Sequence, residues 1–563
     1  MTSGKKRLLI VGGVAGGASC AARARRLSEA MEIIIFERGP YVSFANCGLP
    51  YYVGDVITDE QKLLVADADL FRQRFNIDVR LENEVVAINR TSSEITVKNR
   101  RTGELYQEAY DALVLAPGAA PIRPPLPGID LPGIFALRTI PDSRRIRQWI
   151  DTHQVKQAVV VGGGFIGLEM TENLVKRGIT VTLVEASDQV MAPLDPEMVA
   201  SVHERLRSHH VNLCLNDSVA GFVPAETGGL VVKTQSGQAY PAELVILAIG
   251  VRPEITLAQA AGLEIGDRGG IRVNDQMQTS DPNIWAVGDV VEVKDFVTGE
   301  YRVIPLAGPA NRQGRIAADV ICGRSSQFRG VQGTSVCGVF GLAIATTGAN
   351  EKTLQRLGWN YGKVYLHPGH HVGYYPNAKP IDLKLLFSLD DGRILGAQAV
   401  GEAGVEKRID VIAMALQMGA TVFDLEEAEL CYAPQFGAAK DPVNMAGMIA
   451  ANALRDDAPL VHWEQLAERN GQLLLDVRNV SEFEIGHLDG AVNIPLSELR
   501  DRLKELNPDQ EIWVYCQVGQ RAYYATRVLR QHGFDAANLS GGFKTYEAVA
   551  AATGHQRVAD RVK

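Results

Sequence analysis

QAVVVGGGFIGLEMTENLVKRGITVTLVE, residues 157–185, sets the fold class of this chain. An apolar run ends in three glycines, a helical stretch follows, and a second apolar run ends on Glu185. That order is strand, glycine turn, helix, strand: a βαβ unit closed by an acid. Within it, Gly162-Gly163-Gly164-Phe165-Ile166-Gly167 fits G-x-G-x-x-G. Gly162 allows a tight turn, Gly164 lets the backbone approach a pyrophosphate, and Gly167 lets the helix pack close to the strand. The phosphates would sit at a helix N-terminus, where free N–H groups and the dipole favour anions. Glu185 can accept hydrogen bonds from a ribose 2′-hydroxyl and would repel a 2′-phosphate, so the pattern predicts NADH over NADPH.

Residues 7–37 repeat the pattern as RLLIVGGVAGG, SCAARARRL and EIIIFE. In this turn, Gly12-Gly13-Val14-Ala15-Gly16-Gly17, a valine stands at the second glycine, while Gly12 and Gly17 are kept. Glu37 closes the unit. Each unit is followed by an apolar strand ending in glycine, LVLAPG (113–118) and LVILAIG (244–250). In TSDPNIWAVGDV (279–290), Asp289 follows a further strand and is placed to bond a flavin ribityl hydroxyl. Two βαβ units predict two nucleotides, and FAD with NADH uses all of these parts.

At 563 residues the chain is too long for one core, and roughly three to five domains are expected. Apolar content of 46% and charged content of 22% are ordinary for a globular protein. A net charge of -9 argues against nucleic-acid binding, which relies on a basic face. KKRLLIVGGVAGGAS reads as a buried first strand rather than a signal peptide, because its apolar run passes straight into a glycine turn. No apolar run approaches the ~20 residues of a membrane span. The seven cysteines, at 20, 47, 214, 322, 337, 431 and 516, are scattered without metal-ligand or CxxC spacing. They predict a reducing, cytoplasmic compartment and no metal site.

Cys47 lies in SFANCGLPYY (43–52), after the first βαβ strand and so near the flavin-side switch point. A helix N-terminus or a positive neighbour would make its thiolate available at neutral pH. With VGGVAGG, the second glycine turn, AVGD, YYPNA and CYAPQFGAAKDP, this stretch resembles the single-cysteine branch of the pyridine nucleotide–disulfide reductases, most closely the coenzyme A-disulfide reductases, over residues 7 to about 452. No second cysteine follows Cys47 in a redox loop, so the resemblance implies that the partner sulfur comes from substrate. Relatives that reduce peroxide or oxygen carry a histidine where this chain has Ala15, which disfavours those activities. The resemblance adds Gly13, Gly16, Arg38, Gly250, Ala307 and His371 as cofactor positions. It implies that Ser19, Arg23, Arg26, Ser43, Asn46, Asn311 and Lys440 hold coenzyme A, whose phosphates suit arginine and lysine. It also implies a homodimer in which Tyr375 and Tyr432 reach the partner's catalytic cysteine.

The tail resembles a single rhodanese domain through LLLDVRNVSEFEIGHLDGAVNIP (473–495), WVYCQVGQRAYYATRVLRQHGF (513–534) and NLSGGF. Cys516 follows an apolar strand, and the loop to Arg521 can curl N–H groups around a sulfur as a nest. Arg521 adds positive charge, and Asp476 and Arg478 are expected to brace the loop.

The expected fold is α/β: two Rossmann-like domains for FAD and NAD, an α+β dimerisation domain, and a C-terminal α/β rhodanese domain. The boundaries read as 1–155 and 283–328 for the FAD domain, 156–282 for the NAD domain, 329–455 for dimerisation and 460–563 for rhodanese, with RDDAP (455–459) as linker. The expected activity is NADH-dependent reduction of coenzyme A disulfide and of sulfane sulfur (coenzyme A persulfide, polysulfide or a related persulfide) through FAD and Cys47, with Cys516 handling persulfide sulfur. Three alternatives stay open: a plain coenzyme A-disulfide reductase, an NADH oxidase or peroxidase, and a non-catalytic redox sensor or sulfur-carrier docking module.

Overall fold

The computed structural model describes residues 6–226 and 228–552. Residues 1–5 and 553–563, the ends of the expected first and last domains, lie outside the described residues, as does residue 227. The chain forms two compact units, one of residues up to 188 with 210–333, the other of 189–209 with 334 onward.

The first unit holds two parallel five-stranded sheets. One runs Ile284–Ala286, Ala112–Leu115, Arg7–Val11, Glu32–Glu37, Asp78–Leu81. RLLIV and EIIIFE show no polar alternation because strands covered on both faces bury every side chain, and Leu8, Ile10, Ile33 and Ile35 are all buried. Helices Ala15–Leu27 and Ala307–Ile321 lie side by side in this unit. They approach so closely that a side chain on Gly314 would stand 2.2 Å from the Gly16 carbonyl oxygen.

The other sheet runs Asn212–Cys214, Thr180–Val184, Gln157–Val161, Leu244–Leu247, Ile134–Ala136. Strand pairing therefore draws the domain limits differently from 155/156 and 282/283. Ile134–Ala136, placed before the expected limit, pairs with Leu244–Leu247 beyond it. Ala258, Leu263, Ile271 and Val273 pack into the core of the first sheet, so that core resumes soon after Gly250.

In the second unit, a five-stranded antiparallel sheet runs Ser335–Val339, Leu342–Gly348, Ile394–Gly401, Ile381–Ser388, Tyr361–Leu366. A parallel sheet follows: Leu460–Val461, Ala536–Leu539, Ile512–Tyr515, Leu473–Asp476, Ala491–Asn493. RDDAP is pinned rather than loose, since Asp456 and Asp457 pair with Arg530 and Arg527 of helix Gln520–Gln531. Helix Pro196–Ser208, expected in the NAD domain, belongs to this unit. Its anchor is Lys384, fully buried, whose ammonium meets Asp195 at 2.8 Å and Glu197 and Glu351 at 2.5 Å each. Burial opposes that charge, but Tyr365, Glu197, Asp195 and Glu351 outweigh it and hold the lysine protonated. Among the described residues no helix is long and apolar enough to cross a membrane.

Candidate active site

Both glycine turns have the shape a pyrophosphate needs. Gly12 and Gly162 have φ of +94° and +104°, where a side chain would strike the carbonyl of Ala116 or Ala248. Side chains on Gly17 and Gly167 would sit 1.9 Å from the carbonyls of Gly12 and Gly162, which is the close helix–strand packing. Gly164, by contrast, faces open space. Glu37 accepts the N–H groups of Gly13 (3.0 Å) and Gly39 (2.8 Å), and Glu185 those of Gly163 (2.6 Å) and Ser187 (2.8 Å). Val14 caps helix Ala15–Leu27 without a side-chain hydrogen bond. Asp289 follows Gly288 (φ +86°) at the end of its strand, and burial pushes its carboxyl pKa up. Arg38 is engaged by Glu254 at 2.7 Å, a carboxylate it shares with Arg138. Gly250 ends the strand segment and accepts the Ile122 N–H at 3.0 Å. These features fit FAD at the first turn and a nicotinamide dinucleotide at the second.

Cys47 is the one exposed cysteine of the first unit among the described residues. It sits in the 3-10 turn Asn46–Gly48 that runs into helix Leu49–Val53. The expected helix does follow Cys47, while the other influences on its thiol oppose the thiolate. Partial burial raises the Cys47 pKa, and the negative charges of Glu169 and Asp289 raise it further; its own backbone N–H is the one opposing influence. Glu169, two residues past Gly167, went unread; it accepts from Tyr51 at 3.3 Å and its own pKa is raised by burial. Its signal was its place one turn into the helix that opens at Gly164.

The expected coenzyme A residues divide. Ser19 bonds Asn311 across the two close helices, and Arg23 pairs with Asp319 at 2.7 Å, so these form one row. Arg26 is exposed. Arg25, between them, is 3% exposed and donates to the carbonyls of Phe75, Ser28, Glu29 and Asn76, so it is a structural brace. Ser43 (φ +48°) opens the Cys47 loop and Asn46 is exposed beside the cysteine.

Lys440, His371, Tyr375 and Tyr432 belong to the second unit. Lys440 and both tyrosines are exposed, while His371 is buried edge-on to the Tyr375 ring at 5.4 Å. Two loops carry them, joined by the Val372 N–H to the Gly437 carbonyl (3.0 Å) and by the Tyr374 and Tyr432 hydroxyls (2.7 Å). In the rhodanese-like part, Cys516 is fully buried at the end of strand Ile512–Tyr515. Arg521 is held by both oxygens of Glu482 at 2.7 Å, and Cys516 is among the groups that act on its charge. Arg478 is clamped on Asp476 at 2.7 Å and donates to Gln517 of the cysteine loop at 3.2 Å.

Comparison with known proteins fits this layout. The pyridine nucleotide-disulphide oxidoreductase profile matches residues 6–314, and the dimerisation domain of the same group matches 334–441. This chain belongs to the pyridine nucleotide-disulphide oxidoreductases. A rhodanese-like domain match over 461–548 completes it. The coenzyme A disulfide reductase of Staphylococcus haemolyticus is 36% identical over 449 residues, 78% of this chain and 98% of that protein. The crystal structure of reduced Bacillus anthracis CoADR-RHD superposes with a TM-score of 0.95 at 52% identity, covering 97% of this chain and 98% of that one. An NAD-dependent persulfide reductase from A. fulgidus gives 0.89 at 35% identity, covering 96% and 100%. As a member of this family the chain is an oxidoreductase with FAD and NAD as its cofactors.

Proposed function

We propose that this oxidoreductase uses NADH to cleave sulfur–sulfur bonds at Cys47, acting on coenzyme A disulfide and on sulfane sulfur carried by coenzyme A persulfide, polysulfide or a related persulfide. The observation that carries this reading is that Cys47 is the one exposed cysteine of the nucleotide-binding unit among the described residues, without a neighbouring cysteine in its loop to form an internal disulfide. FAD, when bound, supplies two-electron transfer between nicotinamide and sulfur. Gly12, Gly13, Gly16, Gly17, Glu37 and Asp289 would hold it, and Gly162, Gly164, Gly167 and Glu185 the dinucleotide.

The Cys47 thiolate attacks the outer sulfur of a coenzyme A persulfide. A Cys47–S bond forms, the sulfur–sulfur bond of the substrate breaks, and coenzyme A thiolate leaves. Two electrons and two protons then release hydrogen sulfide and restore Cys47. With coenzyme A disulfide, two thiols are released instead. Burial raises the Glu169 carboxyl pKa, and the charge of this residue acts on the Cys47 thiol. Ser19, Arg23, Arg26, Ser43, Asn46, Asn311 and Lys440 would bind coenzyme A. Tyr375 and Tyr432 would complete the partner's site in a homodimer, a reading supported by the dimerisation domain and their exposed rings. Seven unbridged cysteines suit the reducing cytoplasm.

The electrostatic influence between Arg521 and Cys516 favours sulfur handling by the tail. The full burial of Cys516 favours the second reading, a plain coenzyme A-disulfide reductase with a docked tail. NADH oxidation should be measured with coenzyme A disulfide, coenzyme A persulfide, polysulfide, oxygen and peroxide, for wild type and Cys47→Ser. Turnover with sulfur acceptors that disappears in Cys47→Ser supports the reading. Turnover with oxygen or peroxide alone overturns it.

A further inference from the structure

The segment Ser540–Thr545, a Gly-Gly corner that opens helix Gly542–Ala552, faces two ways within the second unit. On one side it shapes the Cys516 loop: the Phe543 N–H donates to the Cys516 carbonyl at 2.8 Å and the Lys544 N–H to the Gln517 carbonyl at 2.9 Å. In a trans peptide the N–H points opposite to the C=O. Fixing these two carbonyls therefore aims the N–H groups of Gln517 and Val518 to the other side of the loop, and these are donors that a nest around a sulfur would use. Gly542 makes the contact possible, since a side chain there would stand 2.3 Å from the Cys516 carbonyl.

On its other side the segment rests on the edge strand Tyr361–Leu366 and its neighbour Ile381–Ser388. Asp382 bonds His367 Nδ1 at 2.6 Å, and His367 Nε2 bonds the Thr545 hydroxyl at 2.8 Å. The Tyr365 N–H donates to Ser540 Oγ at 3.1 Å, and Lys544 pairs with Asp382. Burial lowers the His367 pKa, while Asp382 opposes that shift. Gly541 and Gly542 both have positive φ, +71° and +64°. Two such glycines make the entry to the helix conformationally permissive, so contacts from outside help to set its direction.

We infer that His367, oriented by Asp382, is a positioning residue for Cys516: through Thr545 it fixes the start of helix Gly542–Ala552 and thereby the donor geometry around the sulfur. The inference deepens the sulfur-handling role proposed for Cys516 and rests on it. The reductase's own antiparallel sheet then holds the sulfurtransferase loop in working shape. Around Cys516 the charged groups are Arg521, Glu482, Asp476 and Arg478; around His367 they are Asp382, Lys544 and Glu197.

The test uses full-length flavin-loaded enzyme with thiosulfate as donor and cyanide as acceptor. Cys516 thiolate attacks the outer sulfur and sulfite leaves; cyanide then takes that sulfur as thiocyanate and the thiolate returns. Thr545→Val and His367→Asn should move the pH–rate profile of this transfer to higher pH. The rate at pH 7 should fall about tenfold, as a one-unit shift gives. Thr545→Ser should restore the wild-type profile, and NADH-dependent reduction of coenzyme A disulfide should stay within about twofold, as its nucleophile Cys47 lies outside this network. Peptide-resolved hydrogen exchange should show faster exchange over residues 516–519 in Thr545→Val. Unchanged profiles and exchange in both variants overturn the coupling. Wild-type enzyme that transfers no sulfane sulfur, while Thr545→Val still loosens 516–519, overturns the sulfur role of Cys516 and leaves the coupling standing.

Discussion

The Arg408 guanidinium donates to the Asp441 carboxylate at 2.7 Å, and both side chains are buried. The same arginine donates to the His370 carbonyl at 2.8 Å and the Gly404 carbonyl at 3.1 Å. It therefore ties the loop bearing His371 and Tyr375 to the start of helix Pro442–Leu454, just after the loop bearing Tyr432 and Lys440. Two exposed tyrosines on separate loops gain a fixed spacing from one buried ion pair.

The double variant Tyr375→Phe, Tyr432→Phe should keep its flavin and its fold, because both rings are solvent-facing and only the hydroxyls are lost. If the hydroxyls serve as proton donors at the partner's cysteine, turnover should fall by roughly 100-fold. Flavin absorbance, sedimentation and NADH oxidation measured together check this. An active monomer would count against the shared site.

Glu185→Ala should narrow the preference for NADH over NADPH by about tenfold, or 1.4 kcal/mol. The carboxylate that would repel a 2′-phosphate also holds the Gly163 N–H at 2.6 Å. A rise in KM for NADH should accompany the change. Ratios of kcat/KM for the two cofactors decide the matter.

Glu169→Gln should make Cys47 more reactive. Burial and then Glu169 and Asp289 raise the Cys47 pKa, so removing one negative charge lowers it. Alkylation of Cys47 by iodoacetamide at pH 7 should rise about threefold, half a pKa unit. The pH dependence should shift toward acid. No shift would mean that Glu169 does not act on the thiol.

The βαβ units were legible because their signals are local: glycines at fixed spacing, apolar runs, an acid at the strand end. What escaped was non-local. Ile134–Ala136 is three residues long and earns its sheet only by pairing with Leu244–Leu247. Helix Pro196–Ser208 is claimed by Lys384, far along the chain, with no local mark. The electrostatics of Cys47 depend on Glu169 and Asp289, which no motif around the cysteine announces. RARR shows the limit of composition: adjacent arginines divide into a paired, a buried and an exposed one.

Lys384→Met should destabilise the second unit by roughly 3–5 kcal/mol, because it leaves Asp195, Glu197 and Glu351 buried together without their cation. The wild-type network also sets an acid limit. Burial pushes the Glu351 carboxyl up, but Lys384 and Lys363 outweigh it and bring the pKa from 4.5 to about 2. A depressed folded-state pKa gives stability that is present above 4.5 and lost as pH falls toward 2. Thermal melts from pH 7 down to 3 should show this loss in wild type and a shallower slope in Lys384→Met.

Cys47→Ser and Cys516→Ser should part company on sulfane donors. Cys47→Ser should abolish NADH-dependent sulfide release from every substrate, since no other exposed cysteine lies in the nucleotide-binding unit among the described residues. Cys516→Ser should spare reduction of coenzyme A disulfide and lower turnover of polysulfide or thiosulfate-derived sulfur. In the linker, Asp456 and Asp457 pair with Arg530 and Arg527 of helix Gln520–Gln531. Coenzyme A, with a long arm ending in a thiol, has the chemistry of a mobile carrier of sulfur between Cys516 and Cys47. Added coenzyme A should therefore stimulate sulfide release from thiosulfate in wild type and leave Cys516→Ser unstimulated. Sulfide release and NADH consumption, followed side by side with and without coenzyme A, decide it. A Cys516→Ser enzyme that equals wild type on every sulfane donor would make the tail a docking domain.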